Sequence, residues 1–331
     1  MARPAMGKLS FEAYPLRPVP GAPAPPVAAH LPVFIYGTAW KKERTADLVH
    51  QAISSGFRAV DTAAQPKHYR EDLVGEGVRR AIREGIVRRE DLHIQTKFTS
   101  VNGQSPNNMP YDPSTSITQQ VHASIASSLH NLHTNDNTPD QPNDDKGTPE
   151  DSYIDLLLLH SPLPTMSQTV EAWTAAESYV PHRIRNLGIS NTTLPILREL
   201  SSLVRVPPAV VQNRFYVATQ FDVPLREFCR EQRAGIIYQS FWTLTANPEL
   251  LRSGPVGELA SWAGVSREQA LYCLVLGLGR TTVLNGTTDR GRMWGDLAAL
   301  GAVERAAGQK PRVWEDVLEE FRGLVGDSVA L

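Results

Sequence analysis

Residues 154–160 read Ile-Asp-Leu-Leu-Leu-Leu-His, a run of four leucines that ends on a histidine. A run this short and apolar is typical of a strand buried on both faces, as in a parallel sheet covered by helices. A histidine directly after such a strand lies where an ionisable side chain is costly unless it is paired or used. The stretch therefore predicts a buried parallel strand with a functional group at its carboxyl end.

The same pattern recurs along the chain, where short aliphatic runs alternate with amphipathic stretches such as Glu71–Arg83 and Leu225–Arg233. Eight alternations of strand and helix close into a barrel more readily than they form an open sheet. We therefore predict a (β/α)8 TIM barrel, an α/β fold, over residues 31–331. The predicted strands are Val33–Tyr36, Arg58–Val60, His93–Thr96, Ile154–Leu159, Asn186–Ile189, Ala209–Gln212, Gly235–Tyr238 and Thr282–Leu284.

Two segments do not follow this alternation of strands and helices. Residues 1–30 are rich in Pro and Ala, which predicts an extended N-terminal arm. Residues 133–152 contain almost no apolar side chain, so they cannot bury themselves. We interpret them as a flexible insertion between the third helix and the fourth strand.

Composition narrows the classes of function. The chain has 331 residues, and its 33 Lys and Arg nearly balance its 35 Asp and Glu, so no broad basic field is available for nucleic acid. No stretch approaches the roughly 20 apolar residues that span a bilayer. Cys229 and Cys273 lie in apolar helical patterns that favour buried free thiols. We expect a cytoplasmic protein that is a monomer or weak dimer. We also expect no metal site, because the histidines form no close-spaced cluster with Cys, Asp or Glu.

A Rossmann domain is the competing α/β architecture. Its Gly-x-Gly-x-x-Gly fingerprint must follow an early strand and open a helix. Here Gly75-Glu76-Gly77 lies inside a helical pattern and Gly277-Leu278-Gly279 precedes the last strand. Neither segment has the required context, which favours the barrel.

Polar residues follow almost every predicted strand. In a parallel barrel these positions share one mouth, where functional groups collect. A structural ion pair between Asp61 and Lys97 is the simplest alternative, but it leaves His160 at the same mouth unexplained. The strand-end residues are Gly37, Thr38, Asp61, Lys97, His160, Ser190, Asn191, Gln212, Tyr238, Asn285 and Gly286.

These phrases resemble the aldo-keto reductase family in unbroken order from about Leu31 to Leu300. The matching stretches are LPVFIYGTAW (31–40), GFRAVDTA (56–63), IDLLLLHSP (154–162), IRNLGISN (184–191) and VVQNRFY (210–216). The resemblance implies reduction of an aldehyde or ketone by hydride transfer from NADPH, with NADH as the second choice of cofactor. It assigns the catalytic roles to Asp61, Tyr69, Lys97 and His160.

In this assignment Tyr69 is the general acid, Lys97 favours release of its proton, Asp61 holds Lys97, and His160 orients the carbonyl. The connection from Asp61 to Tyr69 is about three residues longer than the family's usual form. Because the helix that follows fits the family pattern, we expect the extra residues to bulge outward and the hydroxyl to stay in place. The alternative is a surface tyrosine at a helix start.

The resemblance also implies a cofactor site. It places Ser190, Asn191 and Gln212 on the nicotinamide carboxamide and Tyr238 against the ring, with Gly37, Thr38 and Lys41 near the pyrophosphate or the substrate. The lysine that many relatives use for the 2′-phosphate is missing, and Asp289 opposes a phosphate unless it turns away. The residues expected at the phosphate end are Asn285, Gly286, Thr287, Thr288, Arg290 and Arg292.

Trp40, Ser161 and Trp242 are the predicted substrate-pocket residues, and an aromatic wall favours hydrophobic carbonyl compounds. Packing of the barrel rim is the alternative for the tryptophans. Two other functions stay open at this point. One is a lyase that forms a Schiff base on Lys97. The other is a non-catalytic barrel that binds nicotinamide and works through partners.

Overall fold

The computed structural model describes residues 9–20, 30–134, 152–231 and 235–327. Two short strands, β1 (Tyr14–Pro15) and β2 (His30–Leu31), precede the barrel. The barrel strands are β3 (Phe34–Gly37), β4 (Ala59–Asp61), β5 (His93–Phe98), β6 (Ile154–Leu159), β7 (Ile184–Ser190), β8 (Val210–Arg214), β9 (Ile237–Phe241) and β10 (Thr281–Asn285). They are parallel and paired in chain order, and β10 closes the ring against β3. The predicted (β/α)8 barrel is confirmed.

Helices cover the outer face of the barrel. They are α1 (Thr45–Ser54), α2 (Glu71–Arg83), α3 (Ile117–Asn131), α4 (Met166–Glu177), α5 (Leu194–Leu203), α6 (Val223–Glu231), α7 (Pro248–Arg252), α8 (Gly254–Ala263), α9 (Arg267–Gly277), α10 (Arg290–Gln309) and α11 (Pro311–Val325). Helix α2 has the predicted bounds. Helix α6 begins two residues before the predicted Leu225, and residues 232–234 lie outside the described residues.

The strands differ from prediction chiefly at their carboxyl ends. Seven of the eight end one to three residues later than predicted, and β9 ends at Phe241 instead of Tyr238. Polar residues that the sequence predicts as first loop positions still pair with the neighbouring strand, as Asp61 does with Gln95. The barrel mouth therefore lies farther along seven of the eight strands than the apolar runs alone indicate.

Alternation along each strand separates two environments. Outward side chains such as Val60 and Leu157 pack against the helices in the main apolar cluster. Inward side chains such as Ala59 and Leu158 form a smaller cluster inside the barrel. Because polar side chains continue this inward face beyond the small cluster, the floor of the mouth is hydrophilic.

The N-terminal strands lie at the opposite end of the barrel from the mouth. Strands β1 and β2 pair antiparallel, and Leu16 and Leu31 join the inner apolar cluster. Leu31 precedes β3, so this contact is at the amino ends of the strands. Residues 1–8 and 21–29 of the predicted arm, and residues 135–151 of the predicted insertion, lie outside the described residues.

The glycines of the rejected dinucleotide motif serve helix packing. A Cβ on Gly75 would lie 1.9 Å from the Asn131 carbonyl oxygen, and one on Gly77 would lie 2.5 Å from that of Ala46. Both glycines belong to α2 and let α1 and α3 approach it closely. The segment is therefore part of the barrel's outer layer.

Within the described residues, no helix combines the length and apolar character needed to cross a membrane. Cys229 and Cys273 are buried free thiols, as predicted. Burial raises the pKa of Cys229 to about 12.

Candidate active site

A cavity of about 1100 Å³ opens at the carboxyl ends of the barrel strands. Its size suits a large elongated ligand, since pockets for drug-sized molecules are about 300–1,000 Å³. Most of the predicted site residues line it, and they come from different strands whose ends meet at one mouth. Those residues are Gly37, Trp40, Lys41, Asp61, Tyr69, His160, Ser190, Asn191, Gln212, Trp242, Asn285, Gly286, Thr287 and Arg292.

Asp61 and Lys97 form a buried ion pair at the floor of the cavity. The Lys97 Nζ atom lies 2.7 Å from each carboxylate oxygen of Asp61 and 2.8 Å from the Thr62 carbonyl oxygen. These three acceptors use the three ammonium protons. Burial lowers the pKa of Lys97, although the charge of Asp61 opposes that shift. These hydrogen bonds hold the two side chains in place, and the pair as a whole carries no net charge.

Three glutamines on the inward face surround the same carboxylate. Gln95 and Gln212 each donate from Nε2 to Asp61 Oδ1, at 2.6 and 3.0 Å, and to Gln239 Oε1, at 2.9 Å. Gln239 Nε2 donates back to Gln95 Oε1 at 2.9 Å. Because a carboxylate can only accept, its charge fixes which way these buried amides point. We call Gln95, Gln212 and Gln239 the glutamine ring. No sequence motif singles out Gln95 or Gln239.

Tyr69 lies against the ion pair and beside His160. Its ring centroid is 5.3 Å from Lys97 Nζ and 6.1 Å from the centroid of the His160 ring. Burial, with the charge of Asp61, raises the pKa of the Tyr69 hydroxyl. Burial and Asp61 set the direction of this shift, and the role of Lys97 in proton release stays a prediction.

The longer connection before Tyr69 is held on both sides. Two backbone hydrogen bonds extend the pairing of β4 with β5. The Thr62 amide donates to the Gln95 carbonyl oxygen and the Ala64 amide donates to the Lys97 carbonyl oxygen, both at a distance of 3.0 Å. The Gln65 side chain donates to the Gly103 carbonyl at 2.6 Å. This connection also lines a second cavity of about 640 Å³ beside Tyr69. The extra residues therefore add a wall without moving the tyrosine ring away from Lys97.

His160 is held through both its ring and its backbone. Its Nδ1 atom lies 2.7 Å from the Thr99 hydroxyl, and Asn191 Nδ2 donates to its carbonyl oxygen at 2.8 Å. Burial, with the charge of Lys97, lowers the pKa of His160 to about 3. The imidazole is thus neutral near pH 7, and Nε2 is the ring nitrogen that remains for a ligand.

The residues predicted for the nicotinamide carboxamide are together on β7 and β8. The Ser190 hydroxyl donates to the Gln212 carbonyl oxygen at 2.7 Å, and Asn191 Nδ2 lies 3.1 Å from Ser190 Oγ. Asn191 has a φ of 51°, a left-handed conformation that asparagine tolerates better than most residues. The three side chains form one polar wall beside His160.

Tyr238 does not have the predicted position. It points outward from β9 into the main apolar cluster, and its hydroxyl donates to Asp222 Oδ2 at 3.0 Å. Since the strand continues to Phe241, alternation directs Gln239 and Phe241 inward. Phe241 lines the cavity and is the aromatic side chain at the strand end. The error came from ending the strand three residues early.

Four other predicted residues lie outside the cavity wall. Thr38 is fully buried and donates its hydroxyl to the Asp61 carbonyl oxygen at 2.9 Å, so it serves the packing of β3 on β4. Ser161, Thr288 and Arg290 do not line the cavity. Of the two arginines predicted at this end, Arg292 lines the cavity.

The start of α10 forms the far end of the cavity, which we call the α10 end (Asp289, Arg292 and Asp296). Asp289 Oδ1 caps the helix by accepting from the Arg292 backbone amide at 2.8 Å. Asp296 Oδ2 accepts from Asn285 Nδ2 at 2.7 Å. Asp289 therefore occupies the helix start where a phosphate was expected to bind. The opposite end, formed by Asp61, Tyr69, Lys97 and His160, we call the reaction end.

Two exposed tryptophans, Trp40 and Trp242, line the cavity. Trp40 is 65% exposed and its ring centroid lies 3.8 Å from that of His68. Trp242 is 53% exposed and lies under the Arg214 guanidinium. Both tryptophans have positive φ, 62° and 59°. No group of three or more His, Cys, Asp or Glu that could hold a metal occurs in the described part of the chain.

Comparison with known sequences identifies the family. The sequence pattern of the aldo/keto reductase family matches residues 34–139 and 148–246, more than half of the chain. An NAD(P)H-dependent D-xylose reductase from Pachysolen tannophilus is 28% identical over 198 residues, which is 52% of either chain. An NAD/NADP-dependent indole-3-acetaldehyde reductase from Schizosaccharomyces pombe is 29% identical over 69% of this chain and 70% of its own length. The match thus spans about half the length of the xylose reductase.

Solved structures share the fold. An aldo-keto reductase of Bombyx mori in complex with NADP is 20% identical and superposes with a TM-score of 0.64, over 90% of this chain and 93% of that one. An aldo/keto reductase from Brucella melitensis is 21% identical, with a TM-score of 0.62 over 84% and 96%. At these identities the likeness establishes the barrel, whereas the family pattern covers the strands that carry Asp61, Lys97 and His160. The chain therefore belongs to the aldo/keto reductase family, a family of oxidoreductases.

Proposed function

We propose that the protein reduces an aldehyde or ketone to an alcohol with NADPH, and that Tyr69 is the proton donor. The observation that carries this proposal is the position of the Tyr69 ring in the cavity wall, 5.3 Å from Lys97 Nζ and beside His160. A bound reduced nicotinamide supplies the hydride. The carbonyl oxygen then needs a proton at a site where water is excluded.

The protonation states of the site suit this task. Because burial raises the pKa of Tyr69, the phenol keeps its proton near neutral pH and can give it to the much more basic alkoxide. His160 is neutral, and when the Thr99 hydroxyl donates to Nδ1 the ring proton lies on Nε2, where it can donate to the carbonyl oxygen. The buried ion pair of Lys97 and Asp61 lies beneath Tyr69 and His160 at the floor of the cavity.

The cavity fits a dinucleotide. Ser190, Asn191 and Gln212 supply the hydroxyl and amide groups that match a carboxamide, and Phe241 supplies a flat face beside them. Lys41 donates from Nζ to the Gly286 carbonyl oxygen, so a cation lies on the side of the cavity that leads to the α10 end. NADPH as cofactor is supported by the relatives named above, and Arg292 is the residue we assign to its 2′-phosphate.

A Schiff-base lyase is the weaker interpretation. Lys97 is 1% exposed, it does not line the cavity, and its three protons are already bound by Asp61 and Thr62. An amine so placed cannot reach a substrate carbonyl. We further propose that the protein works in the cytoplasm. We also propose that it is a monomer or weak dimer, and light scattering after size exclusion would test this oligomeric state.

The test is Tyr69→Phe. We expect NADPH affinity, measured by fluorescence titration, to change less than about two-fold while turnover of an aldehyde panel falls by about 100-fold or more. His68→Gln is the matched control, because His68 is the adjacent ring in the same wall. Turnover in Tyr69→Phe equal to that of the unmodified protein would refute the proton donor. Tight NADPH binding without turnover of any aldehyde would instead favour a non-catalytic binding module.

A further inference from the structure

Arg214 occupies a position over the reaction end. It is the last residue of β8, two residues beyond Gln212, so both side chains start from the inward face of the strand. Two residues of strand add about 7 Å along its axis. Since Gln212 contacts Asp61 directly, Arg214 lies one layer above the ion pair, and it lines the cavity.

Arg214 packs against two aromatic rings. Its guanidinium carbon lies 4.7 Å from the Trp242 ring centroid and 5.8 Å from that of Phe241. Among the described residues no carboxylate pairs with it, although many other arginines have such partners, for example Arg226 with Asp327. Aromatic faces orient a guanidinium without cancelling its charge. The side chain is thus prepositioned and still able to bind an anion.

The four described groups that form the reaction end carry no net charge near pH 7. Asp61 and Lys97 neutralise each other, and Tyr69 and His160 are uncharged near pH 7. The other cations of the cavity wall, Lys41 and Arg292, lie toward the α10 end, where phosphates of a dinucleotide would bind. Of the Lys and Arg side chains in the described cavity wall, Arg214 is therefore the one that we assign to the substrate.

Trp242 adds a second indication of a binding role. A bulky residue with a φ of 59° is strained, and such strain persists where the surroundings fix it, often at ligand sites. This conformation keeps an indole 53% exposed beneath Arg214. The pair presents an aromatic face with a cation on it, which suits a substrate that has an apolar body and an anionic tail.

We propose that Arg214 binds an anionic group of the substrate, so that the preferred substrates are carbonyl compounds carrying a carboxylate or a phosphate. This inference rests on the proposed reductase function. The fork of a guanidinium matches either oxyanion with two parallel hydrogen bonds. The aromatic wall that the sequence predicts, which includes Trp242, would then contact the apolar part of the substrate while Arg214 binds its negative charge.

The experiment compares two aldehydes of similar shape, 4-carboxybenzaldehyde and 4-methylbenzaldehyde. The measured quantity is the ratio of their kcat/KM values with NADPH. We expect the ratio to favour the carboxylate in the unmodified protein and to fall by about 10- to 100-fold in Arg214→Met, the range expected of a charge-assisted hydrogen bond. Arg214→Lys should fall between the two. Arg198→Met is the control, because Arg198 lies 5.2 Å over Phe228 away from the cavity.

Three results would overturn the proposal. One is an unchanged ratio in Arg214→Met. Another is an equal loss for both aldehydes. The third is a NADPH dissociation constant weakened about ten-fold or more, because Arg214 would then serve the cofactor's phosphates.

A binding measurement separates this proposal from the proposed reduction. Tryptophan fluorescence reports binding of 4-methylbenzoate to the NADPH complex without turnover. If neither aldehyde is reduced by the unmodified protein, the reductase function fails. Loss of benzoate binding in Arg214→Met would still support the anion site, and unchanged binding would overturn it.

Discussion

The two ends of the cavity are built in different ways. At the reaction end, Asp61 and Lys97 project from strands, are 2% and 1% exposed, and have their hydrogen bonds satisfied by the barrel. At the α10 end, Asp289 and Arg292 are exposed residues of a helix start. The contrast separates a buried interior, which we propose carries the chemistry, from a surface helix, which we propose adjusts cofactor affinity. The two ends should therefore respond very differently to substitution.

The largest effect should come from Lys97→Met. Removing one partner of a buried ion pair leaves an uncompensated charge on Asp61, which costs about 3–5 kcal/mol of stability. We also expect turnover to fall by about 1,000-fold. Urea unfolding and aldehyde-dependent NADPH oxidation measure the two effects.

The double variant Asp61→Asn with Lys97→Met sharpens this prediction. It removes both charges, so most of the lost stability should return while turnover stays low. A single Lys97→Met variant that is as stable as the unmodified protein would contradict the buried pair. It would show that the reaction end is as adaptable as the α10 end.

An intermediate effect concerns pH. The pKa of His160 is lowered from 6.5 to about 3, so the unfolded chain binds this proton at a higher pH than the folded protein does. The stability that comes from the neutral ring is fully present above pH 6.5 and is lost as the pH falls toward 3. Each pH unit in that window is worth about 1.4 kcal/mol.

His160→Gln tests the pH effect, because glutamine does not titrate. The free energy of unfolding of this variant should fall less steeply between pH 6.5 and 4, by roughly 3 kcal/mol over the interval. Identical slopes in the two proteins would mean that the imidazole at the reaction end is charged or freely solvated. Unfolding curves at closely spaced pH values provide the measurement.

The smallest effect should come from Asp289→Ser at the α10 end. Serine keeps the helix cap but removes a negative charge near Arg292. We expect the NADPH dissociation constant to tighten by a few-fold, on the order of 1 kcal/mol or less, with little change for NADH. Equal changes for both cofactors would place the 2′-phosphate away from this helix start.

Much of the fold could be predicted from the sequence, because apolar runs and amphipathic stretches reflect burial directly. All eight strands and helix α2 were located in this way. The positions of Asp61, Lys97 and His160 followed from the same rule, since each is a charged or polar residue next to a buried strand. Local pattern and overall fold agree at these positions.

The failures have a common physical cause. Tyr238 was misplaced because β9 runs to Phe241, and a polar residue inside a strand looks like the beginning of a loop. Gln95 and Gln239 were missed for a related reason, since an amide in a strand has no motif and finds its partners only when the barrel closes. The role that we propose for Arg214 likewise depends on the layer in which it lies, which no local motif indicates.

The glutamine ring has a consequence for how this barrel tolerates change. Each of the three side chains donates to or accepts from another, and two of them also bind Asp61. Replacing one glutamine by an apolar residue leaves a hydrogen-bond donor or acceptor of its neighbour without a partner in an interior that excludes water. Related sequences should therefore vary at positions 95, 212 and 239 in concert, which couples the evolution of three strands that are far apart along the chain.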